Sequence, residues 1–193
     1  MVRLSITDEV HRYLKQCINQ GDTVIDATLG NGYDALFLAD QIGEEGHLFG
    51  FDILTDALAV TADRLATHHL ARRAELYRCS HSAMSEQLPE WVDGNVRCIM
   101  FNLGYLPGGD KALTTLPDST LPALKQSASL LASGGIISIL AYRGHPGGKD
   151  ECAVVIEWVK SLPDNQFHSI IHNLLPDHQS PPLWITVEKR SAI

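Results

Sequence analysis

The sequence predicts an α/β fold built on a doubly wound, mostly parallel sheet, and three observations carry that prediction. Short β-branched or apolar runs alternate with longer segments of helical spacing along the chain. No internal repeat or low-complexity linker interrupts the alternation. The last two strand-like runs, "FHSIIHNLL" and "PPLWITVEKR", have only a short Pro-containing connection, too short for a parallel crossover, so they must be antiparallel neighbours. The expectation is five parallel strands ending in an antiparallel pair, with one strand reversed.

The opening helix places Val10, Leu14, Cys17 and Ile18 on one face. Strands are then expected at "TVIDA", "GHLFGFDI", "AELYRC", "VRCIMFN" and "GIISILAY". Between them the crossover helices fit "YDALFLADQI", "TDALAVTADRLATHH", "STLPALKQSASLLA" and "DECAVVIEWVKSL". Thr55 and Ser119 are expected as N-caps, and Pro122 is expected in a first turn, where its missing N–H costs nothing.

With 193 residues, 45% hydrophobic and 20% charged, the chain can bury a good core and is expected to form one domain over residues 1–193. No apolar run approaches the roughly 20 residues that span a bilayer, and the N-terminus lacks a continuous apolar h-region, so a cytoplasmic setting is expected. Cys17, Cys79, Cys98 and Cys152 are widely spaced with no C-x-x-C pair, which favours reduced, structural thiols. A formal charge of −8 argues against indiscriminate nucleic-acid binding through a broad positive field. Local basic faces remain: Arg72, Arg73 and Arg78 in one stretch, and Lys111, Arg143 and Lys149 in glycine-rich loops.

In such sheets ligands bind beyond the carboxyl ends of the strands, near the switch in strand order. The first strand exits into "VIDATLGNGYDALFLA", where Gly30 and Gly32 let the backbone turn tightly and approach a ligand, and Asp26 suits an amino or hydroxyl donor better than a pyrophosphate. The second strand ends at Asp52, 26 positions after Asp26, a spacing at which acids bind a ribose diol. Together they imply a nucleoside. Ser80, His81 and Ser82, after the third strand, could reach an adenine edge, although a helix cap would choose the same residue types.

The fourth strand runs into "FNLGYLPGGDK" and delivers Asn102 to the same edge. Asparagine supplies a carbonyl acceptor and an amide donor, Tyr105 a flat face, and Pro107 a stiff loop. The set suits a flat, nitrogen-bearing substrate.

"DATLGNGYD", the "FDI" strand end, "FNLGYLPGGDK" and "GHPGGK" resemble the bacterial family labelled "putative rRNA methylase", whose characterised members methylate 5-aminomethyl-2-thiouridine at the tRNA wobble position. The resemblance runs nearly end to end and implies a Rossmann-like class I methyltransferase, dependent on S-adenosyl-L-methionine (SAM), with a seven-stranded sheet and helices on both faces. It implies that Asp26, Thr28, Gly30, Asn31 and Gly32 surround the amino-acid part of SAM, that Asp52 holds the ribose, and that Ser80 and His81 lie near the adenine. Asn102, Leu103, Gly104 and Tyr105 stand where amino-methylating enzymes carry an Asn/Asp-Pro-Pro-aromatic motif. Tyr33 and Arg143 depart from the family pattern, which often has His at both places.

The chemistry implied is attack of a neutral amine on a sulfonium methyl group, with Asn102 and Tyr105 positioning the amine and His145 the candidate base. The other eight histidines show no ligand spacing, and no metal is expected. The expected partner is the anticodon stem-loop of tRNA, met by Tyr105, Tyr142, Lys111, Arg143 and Lys149; a homodimer is left open. The alternatives are methylation of another RNA or protein amino or amide group, an NAD-linked oxidoreductase, and a non-catalytic SAM- or nucleotide-binding module. The first glycine turn lacks the G-x-G-x-x-G order an oxidoreductase would need.

Overall fold

The structure is a computed structural model that describes residues 5–106, 108, 113–172 and 182–191. In chain order it contains α1 (Ile6–Leu14), β1 (Thr23–Asp26), α2 (Tyr33–Gln41), β2 (His47–Asp52), α3 (Thr55–Thr67) and β3 (Ala74–Arg78), followed by α4 (Met84–Gln87) and β4 (Val96–Leu103). The chain continues through α5 (Pro117–Leu130), β5 (Leu131–Ala141), α6 (Gly148–Ser161), β6 (Phe167–His172) and β7 (Leu183–Lys189). The seven strands lie in the order β3-β2-β1-β4-β5-β7-β6. β7 runs antiparallel to both β5 and β6, so it is the one reversed strand, and the order switches direction between β1 and β4.

Period-2 alternation on the central strands feeds two cores. Ile99, Phe101 and Leu103 of β4 pack with α5 and α6 through Leu124, Cys152, Val155 and Trp158. Cys98 and Met100 face the opposite way, against Val10 and Leu14 of α1, Leu38 of α2 and Leu65 of α3. Asn102 follows Met100 by two residues and so emerges on the α1–α3 side of the sheet. That choice of face decides which side chains it meets.

Local signals explain the element ends and correct three expectations. Ser5 and Asp8 form a reciprocal capping box at the start of α1. Thr55 is the first residue of α3 rather than its cap; Leu54 holds that position, and the Thr55 hydroxyl accepts from Arg78 Nη1 at 3.1 Å. α5 begins two residues earlier than expected, at Pro117, so Ser119 lies inside it and donates its hydroxyl to the Leu116 carbonyl. The first-turn proline is Pro117, which is preset for a helix start, and Pro122 sits one turn deeper. β5 starts directly after α5 and bends at Gly134, where φ is +72°; its regular pairing with β4 resumes at Ile136. No helix among the described residues is long and apolar enough to cross a membrane.

Candidate active site

The carboxyl ends of β1, β2 and β4 converge on one cleft of about 1340 Å³, larger than the roughly 300–1,000 Å³ of an ordinary small-molecule pocket. Its volume leaves room for a nucleoside ligand and part of a second molecule.

β1 ends at Asp26, which is fully buried behind the cleft wall. Its Oδ1 accepts the Thr28 N–H at 3.1 Å, and its Oδ2 finds no hydrogen-bond partner among the described residues. Burial, and then repulsion from Asp34, push the Asp26 carboxyl well above the usual carboxylate range. Thr28 has a visible use. Its Oγ1 accepts the backbone N–H of Asn102 at 2.8 Å and ties the end of β1 to the end of β4.

The glycine turn is held by β2. Gly30, at φ +50°, donates its N–H to Asp52 Oδ2 at 2.9 Å, while Asp52 Oδ1 accepts the Leu54 N–H at 2.9 Å. Each oxygen keeps a lone pair for an outside donor. A Cβ at Gly30 would come within 3.2 Å of Leu106 Cδ1, so the turn and the acceptor loop approach closely across the cleft. Gly32 serves packing instead. It lies outside the cleft lining, at φ +73°, and a Cβ there would stand 2.9 Å from Thr61 Cα. The Asn31 carbonyl accepts from Arg64 Nε at 2.8 Å, and the same guanidinium lies 3.8 Å above the ring of Tyr33, an exposed side chain at the rim.

At the other end of the cleft Ser80 caps a short 3₁₀ turn over His81–Ala83, and its Oγ accepts the Ser82 N–H at 3.2 Å. His81 lines the cleft, is buried against Phe101, and leaves Nε2 without a hydrogen-bond partner among the described residues. Burial pushes its pKa down, favouring the neutral ring.

The acceptor loop is anchored at both sides. Tyr105 pairs with Thr114 in an isolated antiparallel bridge, and Thr115 donates its N–H to the Gly104 carbonyl at 3.0 Å. Buried Glu151 of α6 takes the hydroxyls of Thr115 at 2.8 Å and Thr120 at 2.6 Å, fastening the returning arm to the core. Pro107 and Lys111 fall outside the described residues. Tyr142 and Arg143 line the cleft; Lys149, in the first turn of α6, is exposed and does not. His145 is buried edge-on to Tyr105, with ring centroids 5.9 Å apart. Its Nδ1 lies 3.0 Å from the Pro146 carbonyl and 3.3 Å from the Thr114 hydroxyl. Nε2 is buried without a hydrogen-bond partner among the described residues, enclosed between Gly104 and Gly148.

Two site residues lie outside the set expected from the sequence. Asp34, in the first turn of α2, accepts from the side-chain amide of Asn102, and its other oxygen lies 2.5 Å from His11 Nε2. His11 and Asp34 both line the cleft. The available signal was spacing: His11, Leu14 and Ile18 share one helical face, and a polar ring on an apolar face needs a partner. Of the basic cluster, Arg73 donates to the Ala39 carbonyl and Arg78 to Thr55. Among the described residues no group of three potential metal ligands comes together.

A glycine turn after the first strand, an acid closing the second and this strand order are the marks of the Rossmann-like class I methyltransferase fold. The chain belongs to the family described as "Putative rRNA methylase", whose profile matches residues 48–188. A crystal structure from Clostridium thermocellum described as a "putative rRNA-methylase" is 36% identical, with a TM-score of 0.91 over 98% of this chain and 100% of that one. A "putative methyltransferase" from Streptococcus mutans, solved in complex with SAH, is 29% identical, with a TM-score of 0.84 over 98% and 99% of the two chains. A chloroplastic tRNA (mnm(5)s(2)U34)-methyltransferase of Arabidopsis thaliana is 42% identical over 169 residues, 83% of this chain. The chain spans 61% of that relative's length.

Proposed function

We propose that this chain transfers a methyl group from SAM to the aminomethyl nitrogen of 5-aminomethyl-2-thiouridine at the tRNA wobble position. The observation that carries the proposal is the setting of Asn102. Its amide N–H is bound by Asp34, so its carbonyl is turned elsewhere, at the end of β4 in the cleft that also contains the Gly30 turn and Asp52. The name of the chloroplastic relative supports the choice of substrate.

The residues fit SAM. Asp52 retains acceptor capacity for a ribose diol, Ser80 and His81 line the cleft where an adenine edge would lie, and Thr28, Gly30 and Asn31 line it beside the methionine portion. Asp26 and Gly32 would act from behind, by setting the turn. When bound, SAM supplies a methyl group activated on a positively charged sulfur.

The protein's part is to bind, orient and exclude. An alkylamine is largely protonated near neutral pH and has no lone pair until it loses a proton. Asn102 accepts an N–H of the neutral amine and aims its lone pair, while Tyr105 and Tyr142 bracket the base. His145, buried beneath the loop, is the candidate proton acceptor. Arg143, Lys149 and Lys111 anchor the anticodon stem-loop backbone, a short-range attraction that works within an overall charge of −8.

Single-turnover methylation of aminomethyl-modified tRNA, read by nucleoside mass spectrometry, tests the reading. The wild type should form the N-methylated nucleoside, and Asn102→Ala should slow it on the order of 10²-fold with little change in SAM or tRNA dissociation constants. The family description favours one second reading, methylation of an rRNA amino group. Product on rRNA and none on tRNA would replace the first reading with the second.

A further inference from the structure

Asn102 does not orient itself. Its side chain leaves β4 on the α1–α3 side, where the Asp34 carboxylate accepts an N–H from Nδ2 and meets His11 Nε2 through its other oxygen at 2.5 Å. The His11 ring is fixed in turn by stacking on Phe37, with centroids 4.0 Å apart and planes within 6°. A carboxylate can only accept, so the Asn102 amide must present its NH₂ to Asp34 and turn its carbonyl away. The reverse orientation would set a carbonyl oxygen against a carboxylate oxygen and leave a donor unused.

We propose that His11 and Asp34 are positioning residues of the acceptor site, a relay from α1 through α2 to β4 that holds the Asn102 carbonyl toward the incoming amine. The inference rests on the role proposed above for Asn102. A purely structural ion pair would serve as well inside the sheet packing, yet all three residues line the cleft. The relay also gives α1 a task at the site, because His11 carries that helix's contact to Asp34 and through it to Asn102. Its capping box fixes where the first turn begins and therefore where His11 points.

Asp34→Leu keeps the bulk and removes both acceptor oxygens, so His11 and Asn102 each lose their partner. Single-turnover methylation with both substrates saturating should slow on the order of 10-fold or more, the scale of a misaligned reactant, while the SAM dissociation constant and the KM for tRNA stay near wild type. His11→Ala should lose less, and His11→Gln, which keeps an N–H donor, should recover most of that loss. An independent readout is the side-chain amide of Asn102, assigned by its absence in Asn102→Ala. Its two protons should be resolved and slow to exchange in the wild type and averaged in Asp34→Leu. If the Asp34 variant does not fold, the His11 pair and the wild-type amide signals still decide. Wild-type rates for Asp34→Leu and His11→Ala beside a slow Asn102→Ala would overturn the relay and leave the methylation reading intact. A wild-type rate for Asn102→Ala would remove the role of Asn102 and the relay with it.

Discussion

The hydroxyl of Thr28 accepts the backbone N–H of Asn102 at 2.8 Å, joining the two strands that flank the switch in strand order. That N–H lies just past the β1–β4 ladder, which ends at the Asp26–Met100 pair while β4 stays paired with β5, so without Thr28 it is left unpaired at a half-buried position. Thr28→Val keeps the shape and removes the acceptor. It should cost roughly 1–3 kcal/mol in urea denaturation, the price of an unsatisfied buried donor, whereas Thr28→Ser should cost less. Equal midpoints for Val and wild type would mean that the contact contributes nothing.

Gly32 and Gly21 both hold left-handed backbone, at φ +73° and +86°, but only Gly32 faces another element. A Cβ at Gly21 meets nothing within 4 Å, while one at Gly32 would press on the backbone of Thr61. Gly21→Ala should therefore show only the left-handed penalty of about 1–2 kcal/mol. Gly32→Ala should add an overpacking cost of about 1–3 kcal/mol as α2 and α3 are forced apart. Chemical denaturation of both variants measures the difference.

Much of this architecture was legible in the sequence because hydrophobic alternation and short connections leave few sheet arrangements open. The reversed strand followed from the short connection between the last two runs, and the position of the cleft from the residues at the ends of β1, β2 and β4, of which Asp26 lies buried behind its wall. What could not be read were contacts between elements distant in the chain. An acid in the first turn of a helix, as Asp34 is, already suits the helix N-terminus, and nothing local to it or to Asn102 signals a bond spanning 68 positions. The cap misassignments at Thr55 and Ser119 have a different cause. Both hydroxyls satisfy other groups, Arg78 and the Leu116 carbonyl, and the helices start without a side-chain cap.

Asp52 binds two backbone amides, so its removal should be felt twice. Asp52→Ala should weaken SAM by roughly 1.5–3 kcal/mol, the worth of hydrogen bonds to a charged group, and should also lower the Tm of the ligand-free protein by releasing the Gly30 turn. Calorimetric titration with SAM and a thermal scan without it separate the two effects. Unchanged SAM affinity with a lowered Tm would reduce Asp52 to a clamp on the turn.

Asp26 makes stability depend on pH in an unusual direction for a carboxylate. Its native pKa is raised, first by burial and then by Asp34, while in the unfolded chain it returns to about 3.9. Between those values the native state binds more protons than the unfolded one, so stability falls as pH rises. The protonated carboxyl contributes fully below about pH 4, and the contribution is lost as pH passes through the native value. Asp26→Asn imitates the neutral carboxyl: its carbonyl can accept the Thr28 N–H, and its NH₂ replaces the protonated oxygen that has no partner among the described residues. The variant should therefore be more stable than wild type near neutral pH, with each kcal/mol appearing as roughly 2–4 °C in a chain of this length. The advantage should shrink as the pH is lowered toward 4. Taking the difference between the two proteins cancels the titration of groups remote from Asp26, so urea midpoints across a pH series report Asp26 together with Asp34 and Asp52, whose charges act on it. A difference that stays constant from pH 4 to 8 would show that Asp26 is charged in the native state and that burial does not control it.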